Sequence, residues 1–564
     1  MKPGKAAGYD KIYPEFLLNC GLRTKKWLVT CFSKIVSSGL IPPIFKKSIV
    51  TAILKPGKDG SDPSHFRPIS LLSVTYKLLE RLTLERIQPK INLIVPVEQA
   101  GFRRDRGCNE QMMAFSTFVE GGFQQHLKTF IAQLDLSAAY DTVWKHGLLL
   151  KFIKVIPCSR LYCLLSNMLS ARLFQVTFGE QRSKWRTLNN GLPQGSVLAP
   201  TLFNLYTHDL PKTKCKKFVY ADDITMTTQC KTFEEAEIVL KEDLAVMSSY
   251  FKSWRLKLNL SKTEVSAFHL NNQLANKKLN VDFDQQLLNH NFNPKILGIV
   301  FDRSLSFRNH LEMKARKLAT RNNLIQQLAG TSWGANADTL RTSALSLVFT
   351  AAEYCCPVWL MSTHCYKVNV QLNRTMRIIS GTIKSTPLPW LPVLCNILPP
   401  ELRRKQALVR TVQVSVANGS SVLSDLLETP IPQVLVRKPP YILAKELIDD
   451  DFDAKAAWID LWSSTVLDNA DLISDPFPKV PGFDLKRGTW TKLNRIRTGH
   501  GRCNQTLHRW GSVDDPACDC GFAIQDVRHI VLECSLRKFQ GDLTDIHNCD
   551  DSALQWLSDL DVEL

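Results

Sequence analysis

The 564 residues hold no uninterrupted apolar run long enough to cross a bilayer; the longest, Ser343 to Met361, is broken by Glu353 and Pro357 and reads as a buried helix. No membrane anchor is expected. No secretory signal opens the sequence, and the 16 Cys are scattered, with neighbours such as Cys355 and Cys356 outside any disulfide pattern. A reducing compartment follows, intracellular and nuclear or cytoplasmic, in which thiols are free to hold metal. Internal repeats are lacking. Acidic residues are in short supply, 53 Asp and Glu against 71 Lys and Arg, a formal charge of +18. That imbalance favours a polyanionic partner, nucleic acid or an anionic membrane surface, although solubility accounts for part of it. Hydrophobic residues at 44% and charged residues at 22% exclude a disordered chain. At about 150 residues per domain, three or four units are expected.

Along the chain, helical and strand-like stretches alternate without the regular βαβ spacing of a parallel fold. Ser48 to Leu54 has the β-branched run of a strand, and Phe66 to Leu72 leads into a helix of good formers from Tyr76 to Ile87. Around the intervening turn, Lys55 and Arg67 can clamp a triphosphate, Arg as a planar fork and Lys as a mobile point charge, or form a solvated basic loop. Phe130 to Leu136 reads as a buried strand containing Asp135, with Ser137 capping a single helix from Ala138 to about Ile156. An amphipathic helix spans Thr232 to Trp254, a strand follows at Val265 to His269, and Pro294 to Asp302 forms another strand pair. From Phe307 to about Ala417 the sequence is helical and apolar with a basic flank. The prolines from Thr429 to Pro440 mark a linker, and Leu493 to His500 a basic helix end. The fold class predicted is α+β, with helices covering one face of a mainly antiparallel sheet.

The chemistry concentrates in three short stretches. Phe218 to Asp223 followed by Ile224 to Thr228 predicts a hairpin with Asp222 and Asp223 at its tip. Asp135 ends a second strand, where a carboxylate faces a cleft; in isolation the ordinary reading is that it simply caps the helix. Tyr140, on the first turn after it, is in isolation an ordinary core tyrosine. Asn190 to Ser196 is a loop whose glycines let backbone approach a ligand and whose Gln194 both donates and accepts, or else a plain loop-to-helix junction. Taken together, Asp135, Asp222 and Asp223 on two strands are what two-metal phosphoryl transfer requires, because Mg²⁺ takes oxygen ligands and keeps substrate phosphates in its shell.

The ordered set Asp135-Leu136-Ser137-Ala138-Ala139-Tyr140-Asp141, Gly191-Leu192-Pro193-Gln194-Gly195-Ser196 and Phe218-Val219-Tyr220-Ala221-Asp222-Asp223 closely resembles the reverse transcriptases of non-LTR retrotransposons, jockey-like LINE elements in particular. Phe66 to Leu72, Gln99-Ala100-Gly101-Phe102-Arg103, Lys262 and Ile296 to Asp302 extend the resemblance. It implies a right-hand polymerase: fingers at 1–128, a palm with an antiparallel sheet at 129–303, a helical thumb at 304–428, and a linker and mostly helical C-terminal region at 429–564. The implied function is RNA-directed DNA polymerase, extending a primer 3′-hydroxyl on an RNA template with deoxynucleotides and two Mg²⁺. By the same resemblance Asp135 and Asp222 are principal metal ligands, helped by the Leu136 carbonyl and Asp223. Arg67 and Lys55 grip the triphosphate, Gln194 lines the nucleotide pocket, Lys262 protonates pyrophosphate, and Tyr140 excludes a ribose 2′-hydroxyl. A viral RNA-dependent RNA polymerase, by contrast, usually carries a small or polar residue at that last position.

Cys518, Cys520, His529 and Cys534 set four soft or borderline ligands in a short window, for which tetrahedral zinc is the natural occupant; buried cysteines packing the end of a domain are the other reading. A similar Cys-Cys-His-Cys element ends many members of the family, which implies a structural zinc knuckle at 518–534 on template RNA. Family members normally begin with an endonuclease, whereas this sequence opens inside the fingers at Gly4-Lys5-Ala6-Ala7-Gly8 and carries no ribonuclease H pattern. A truncated copy is therefore expected, either a working polymerase on RNA template and DNA primer or target, or a non-catalytic, domesticated nucleic-acid-binding protein. Template preference, insertion site and oligomeric state are not encoded legibly.

Overall fold

The computed structural model describes residues 2–419, 421–428, 433–562 and 564. They form two compact units, the first mainly Met1–Gln111 with Gln125–Phe292, the second Met112–Gln124 with Asn293–Gly419 and Leu423–Leu564. The strands are β1 (Lys47–Leu54), β2 (Phe66–Leu72), β3 (Lys128–Leu134), β4 (Arg172–Phe178), β5 (Gln181–Arg182), β6 (Arg186–Leu188), β7 (Lys216–Tyr220), β8 (Asp223–Cys230) and β9 (Glu264–Phe268). Five two-residue strands follow, β10 (Asp282–Phe283), β11 (Gln286–Leu287), β12 (Asn289–His290), β13 (Lys295–Ile296) and β14 (Ile299–Val300).

The first unit carries two mixed sheets. In one, β1 pairs antiparallel with β2 and parallel with β4, and β5 and β6 extend β4. The other has the order β12-β9-β3-β8-β7, antiparallel throughout except for β12 against β9. The expected α+β class and largely antiparallel second sheet are thus present. β3 lies at its centre because both its faces are apolar: Phe130, Ile131, Ala132 and Leu134 are all buried, as are Met226 on β8 and Val265 on β9. Burying each large side chain of this kind stabilises by about 1.5–3 kcal/mol. The helix Phe233–Ser253 packs on this sheet, the Phe233 ring edge-on to Phe130 at 4.9 Å. Its start is fixed by a capping box, Thr232 accepting from the Glu235 amide while the Glu235 carboxylate accepts from the Thr232 amide.

Two predicted helices are broken. The stretch from Ala138 is two helices, Ala139–Thr142 and Lys145–Val155, and Ser137 caps neither. The cause is long-range: Leu192 donates to the Tyr140 carbonyl and Gly191 to the Val143 carbonyl, groups that a continuous helix would keep for itself, at 2.8 and 2.9 Å. The Ser137 amide is itself bonded to the Lys257 carbonyl at 2.7 Å.

The second unit is helical, with β13 and β14 as its short strand pair. Arg308–Gln326 and Tyr366–Ser380 lie side by side, joined by Asn322, which donates to the Gln371 carbonyl and accepts from Thr375 Oγ1 at 2.9 and 2.6 Å. The stretch Ser343 to Met361 is not one helix. It passes through a wider turn at Leu345–Phe349, ends at Glu353, and resumes at Cys356–Trp359 after Cys355 takes a left-handed conformation (φ 52°). Pro357 has no amide hydrogen to continue the ladder, and the buried Lys314 ammonium takes up the Ala351 and Tyr354 carbonyls instead, each at 3.1 Å.

The expected basic helix end is present, with Arg495 and Arg497 in the last turn of the helix Arg487–Arg497. In the helix Arg487–Arg497, Arg495 and Arg497 are buried and donate to protein acceptors, Arg495 to the Gly381 carbonyl and Arg497 to the Pro481 and His547 carbonyls. Both side chains thus tie this helix to the rest of the second unit. Residues 429–432 of the predicted linker lie outside the described residues; beyond it, Pro440–Asp449 is a helix. Among the described residues, no helix is long and apolar enough to cross a membrane.

Candidate active site and metal centre

The acidic tip is a two-residue turn between β7 and β8, closed by the Tyr220–Asp223 pair, with Ala221 in the left-handed region at φ 58°. β3 pairs β8 on the other side, and its last partners are Leu134 and Ile224. One step further along that register sets Asp135 opposite Asp223. Burial raises the Asp222 carboxyl above its ordinary range, and the Asp135 charge adds to it. Asp223 is open to solvent on one side but crowded by protein atoms, and that crowding, followed by the charges of Asp222 and Asp135, pushes it up to about 6. With Asp135 beside them, Asp222 and Asp223 complete an oxygen donor set suited to a hard divalent cation.

Lys262 Nζ is 3.6 Å from Asp135 Oδ2, the ion pair that links a cation to this group. It is placed by the segment 257–263, which runs beside 135–137: Leu258 bridges Leu136, and the Asn259 amide donates to the Asp135 carbonyl at 2.7 Å. Leu136 is itself buried.

Next to the carboxylates, Tyr140 stacks on Phe203 and meets Phe102 edge-on, with ring centroids 4.8 and 6.3 Å away. Its hydroxyl is buried and has no hydrogen-bond partner in the protein. Burial, then the Asp222 charge, raises its pKa, so it stays a neutral phenol. Gln194 Nε2 donates to Asp141 Oδ2 at 3.2 Å, and the Gln194 carbonyl accepts from the Ser70 amide on β2 at 2.7 Å. Gly195, at φ 128°, approaches so closely that a Cβ would lie 2.4 Å from the Ser70 carbonyl oxygen. The loop is thereby seated between β2 and the helix Ala139–Thr142.

Sequence reasoning missed what holds the other end of that loop. Glu80, buried on the helix Val74–Ile94, accepts from Ser196 Oγ at 2.5 Å and from the Val197 amide at 2.9 Å. Burial raises its carboxyl despite these two donors. An acidic residue among Leu78, Leu79 and Leu82 was the available signal. Lys55 and Arg67 stand where β1 ends and β2 begins; Lys55 Nζ donates to the Ser64 carbonyl at 2.8 Å and Arg67 is exposed. Neither is brought into a hydrogen bond or ion pair with the three carboxylates.

In the second unit, Cys518, Cys520, His529 and Cys534 offer ligand atoms all within 4.8 Å of one another. A turn brings the first two together, the Cys518 amide donating to Phe522 and the Gly521 amide to Cys518, both at 2.8 Å. The wide turn His529–Glu533 returns the last two, with the Cys534 amide on the His529 carbonyl at 2.7 Å. Cys520 Sγ is 3.2 Å from His529 Nε2 and Cys518 Sγ 3.9 Å from Cys534 Sγ. Burial works to raise the Cys518 thiol, but hydrogen bonds from the Cys520 amide and from the side chains of Gln525, Cys520 and His529 bring it down to about 6, toward the thiolate a metal takes. Three thiols and an imidazole in this spacing fit zinc.

Residues 53–301, which hold the hairpin, the Gln194 loop and Lys262, match the family model described as reverse transcriptase (RNA-dependent DNA polymerase). The relatives are more particular. The chain is 29% identical over 422 residues to the RNA-directed DNA polymerase from mobile element jockey of Drosophila funebris, covering 72% of this chain and 45% of the relative. It is 30% identical over 396 residues to the probable RNA-directed DNA polymerase from transposon BS of Drosophila melanogaster, covering 67% and 43%. Across 97% of its length it is 23% identical to a putative 115 kDa protein in type-1 retrotransposable element R1DM of the same species, of which it covers 52%. The resemblance to non-LTR retrotransposon reverse transcriptases is upheld, and the chain spans about half the length of the curated relatives it matches. Among solved structures, the apo telomerase of Candida tropicalis aligns at 10% identity over 73% of this chain and 75% of that one, with a TM-score of 0.36, too low to bear on the fold.

Proposed function

We propose that the chain is an RNA-directed DNA polymerase of a non-LTR retrotransposon, which lengthens a DNA primer by nucleotidyl transfer on an RNA template. One observation carries this reading: the β3–β8 register brings Asp135 opposite Asp223, close enough for its charge to act on Asp222, with Lys262 ion-paired to it and Tyr140 near Asp222. In this reading residues 1–128 are fingers, 129–303 palm, 304–428 thumb, and 429–564 a C-terminal region whose zinc knuckle contacts template RNA.

Asp135, Asp222 and Asp223, with the Leu136 carbonyl, would hold Mg²⁺; when bound, two such ions activate a 3′-hydroxyl and stabilise a leaving pyrophosphate. The protein does the rest by position. Lys262, ion-paired to Asp135, would give a proton to departing pyrophosphate. Tyr140, held flat against Phe203, closes the space a ribose 2′-hydroxyl needs. Gln194, anchored through Asp141 and Ser70, forms the floor under the incoming nucleotide. Arg67 and Lys55 reach the triphosphate. Cys518, Cys520, His529 and Cys534 would hold zinc.

The test is primer extension by the purified protein on an RNA template with Mg²⁺ and deoxynucleotides, with Asp222→Asn as control. Mg²⁺-dependent product from the wild type and none from Asp222→Asn is expected. RNA binding without any extension would refute the polymerase and leave a non-catalytic nucleic-acid-binding protein.

A further inference from the structure

The chain that passes behind the acidic hairpin does more than fill space. Residues 98–100 lie along the outer edge of β7: the Val219 amide donates to the Glu98 carbonyl at 3.0 Å and the Ala100 amide to the Val219 carbonyl at 2.9 Å. This pairing stops one residue short of the turn. There the side chain of Gln99 takes over, its Oε1 accepting from the Ala221 amide at 2.8 Å and its Nε2 donating to the Ala221 carbonyl at 3.1 Å. The same Oε1 accepts from the Gly101 amide at 2.8 Å. Gln99 is buried, at 5% exposure, and so is Ala221, at 7%.

The two polar groups of Ala221 lie in a buried turn where the strand ladder has ended, and the carboxamide of Gln99 supplies partners of both kinds. Leaving such groups unmatched costs about 1–3 kcal/mol each. Ala221 also sits at φ 58°, the first turn position at which glycine is ordinarily preferred, and a residue with a Cβ needs external support there. Gly101 completes the clamp: a Cβ at that position would fall 2.2 Å from the Ala221 nitrogen. Gln111 provides a contrast within the same segment, because it is also buried but donates to the Glu98 and Val219 carbonyls, on the strand and not at the turn.

We infer that Gln99 is the positioning residue of the acidic site: by gripping both peptide groups of Ala221 it fixes the direction of the next residue, Asp222, and so the divalent-cation affinity of the three carboxylates. The inference rests on the polymerase reading only for its kinetic arm. Gln99 reaches no carboxylate and acts solely through the Ala221 main chain.

The experiment measures Mn²⁺ binding by electron paramagnetic resonance on the full chain, counting as site-bound only what Asp222→Asn removes. Gln99→Leu loses all three hydrogen bonds at similar volume, Gln99→Glu keeps acceptors and turns the donor to Ala221 into a repulsion, and Gln111→Leu is the control. Thermal unfolding establishes that each variant is folded. Site affinity for Mn²⁺ is expected to fall roughly tenfold in both Gln99 variants, the size of losing about one such hydrogen bond. The Mg²⁺ concentration for half-maximal extension should rise in step while the deoxynucleotide KM stays within about twofold. Gln111→Leu should lower the melting temperature and leave Mn²⁺ affinity alone. Wild-type affinity in a folded Gln99 variant, an equal loss in Gln111→Leu, or unfolding of both Gln99 variants would overturn the inference. A wild-type chain that binds Mn²⁺ but extends nothing refutes the polymerase reading, and the binding arm still decides the role of Gln99.

Discussion

The ring of Tyr140 lies 18° from parallel with that of Phe203, at 4.8 Å, and its hydroxyl bonds to nothing in the protein. A tyrosine held by its face, with an unbonded edge, is placed by shape. Tyr140→Ala should relax discrimination between deoxyribo- and ribonucleotides by roughly tenfold or more, read as the ratio of kcat/KM for the two. Tyr140→Phe should leave the ratio unchanged, since the hydroxyl is not the selecting group. Unchanged ribonucleotide rejection in Tyr140→Ala would remove this role.

Glu80 anchors the loop that carries Gln194 through two hydrogen bonds, to Ser196 and Val197. Glu80→Ala leaves the Val197 amide and the Ser196 hydroxyl without that acceptor and should cost about 2–4 kcal/mol in stability. Steady-state kinetics should show the deoxynucleotide KM rising more than kcat falls, because the loop and not the carboxylate set is loosened. Glu80→Gln, which keeps an acceptor, should lie between that variant and the wild type.

Protein prepared without chelator should contain about one zinc per chain by elemental analysis, as four donors in tetrahedral arrangement imply. Cys534→Ser or a strong chelator should release it and unwind the turn His529–Glu533, whose far end depends on the Cys534 amide. Extension on a short primed template should be less affected than RNA binding. A chain free of zinc with that turn intact would show that the thiols merely pack.

Glu120 is buried at 2% exposure, and burial drives its carboxyl from 4.5 to about 7 although the Arg437 guanidinium lies 2.6 Å away and opposes the shift. The folded state thus holds the proton more tightly than the unfolded state. That stabilisation is complete below about pH 4.5 and is lost as the pH rises through 7. The loss is of order 3 kcal/mol for a shift of this size. Denaturant unfolding of Glu120→Gln between pH 4.5 and 7 should show this component of the slope gone; an unchanged slope would assign the titration elsewhere.

The parts legible in the sequence are those whose chemistry is local. Asp222 and Asp223 sit in a turn flanked by β-favouring residues, and the Gly191–Ser196 run announces a loop, so both could be placed from a dozen residues each. Asp135 joined them as the third carboxylate that two-metal chemistry requires, and the β3–β8 register supplies the physical reason. Illegible parts depend on partners far along the chain. The helix break at Val143 is imposed by Gly191 and Leu192, Arg497 is drawn inward by Pro481 and His547, and Glu80 and Gln99 have meaning only through Val197 and Ala221. Apart from the leucines around Glu80, nothing in a window of ten residues distinguishes Glu80, Gln99 and Arg497 from ordinary surface polar side chains.

The parallel pairing of β1 with β4 reaches past β3, and β3 pairs with β8 and β9 past β4 to β6, so the two sheets of the first unit are threaded through one another in sequence. The first sheet is complete once β6 ends at Leu188, but the second, begun at β3, then still lacks β7, β8 and β9. A growing polypeptide therefore has no assembled acidic cluster until β8 and β9 have emerged, and pairings of such sequence separation are slow to form. During synthesis the carboxylates stay apart until β8 has emerged, when most of the first unit exists but fewer than half of the 564 residues have been added.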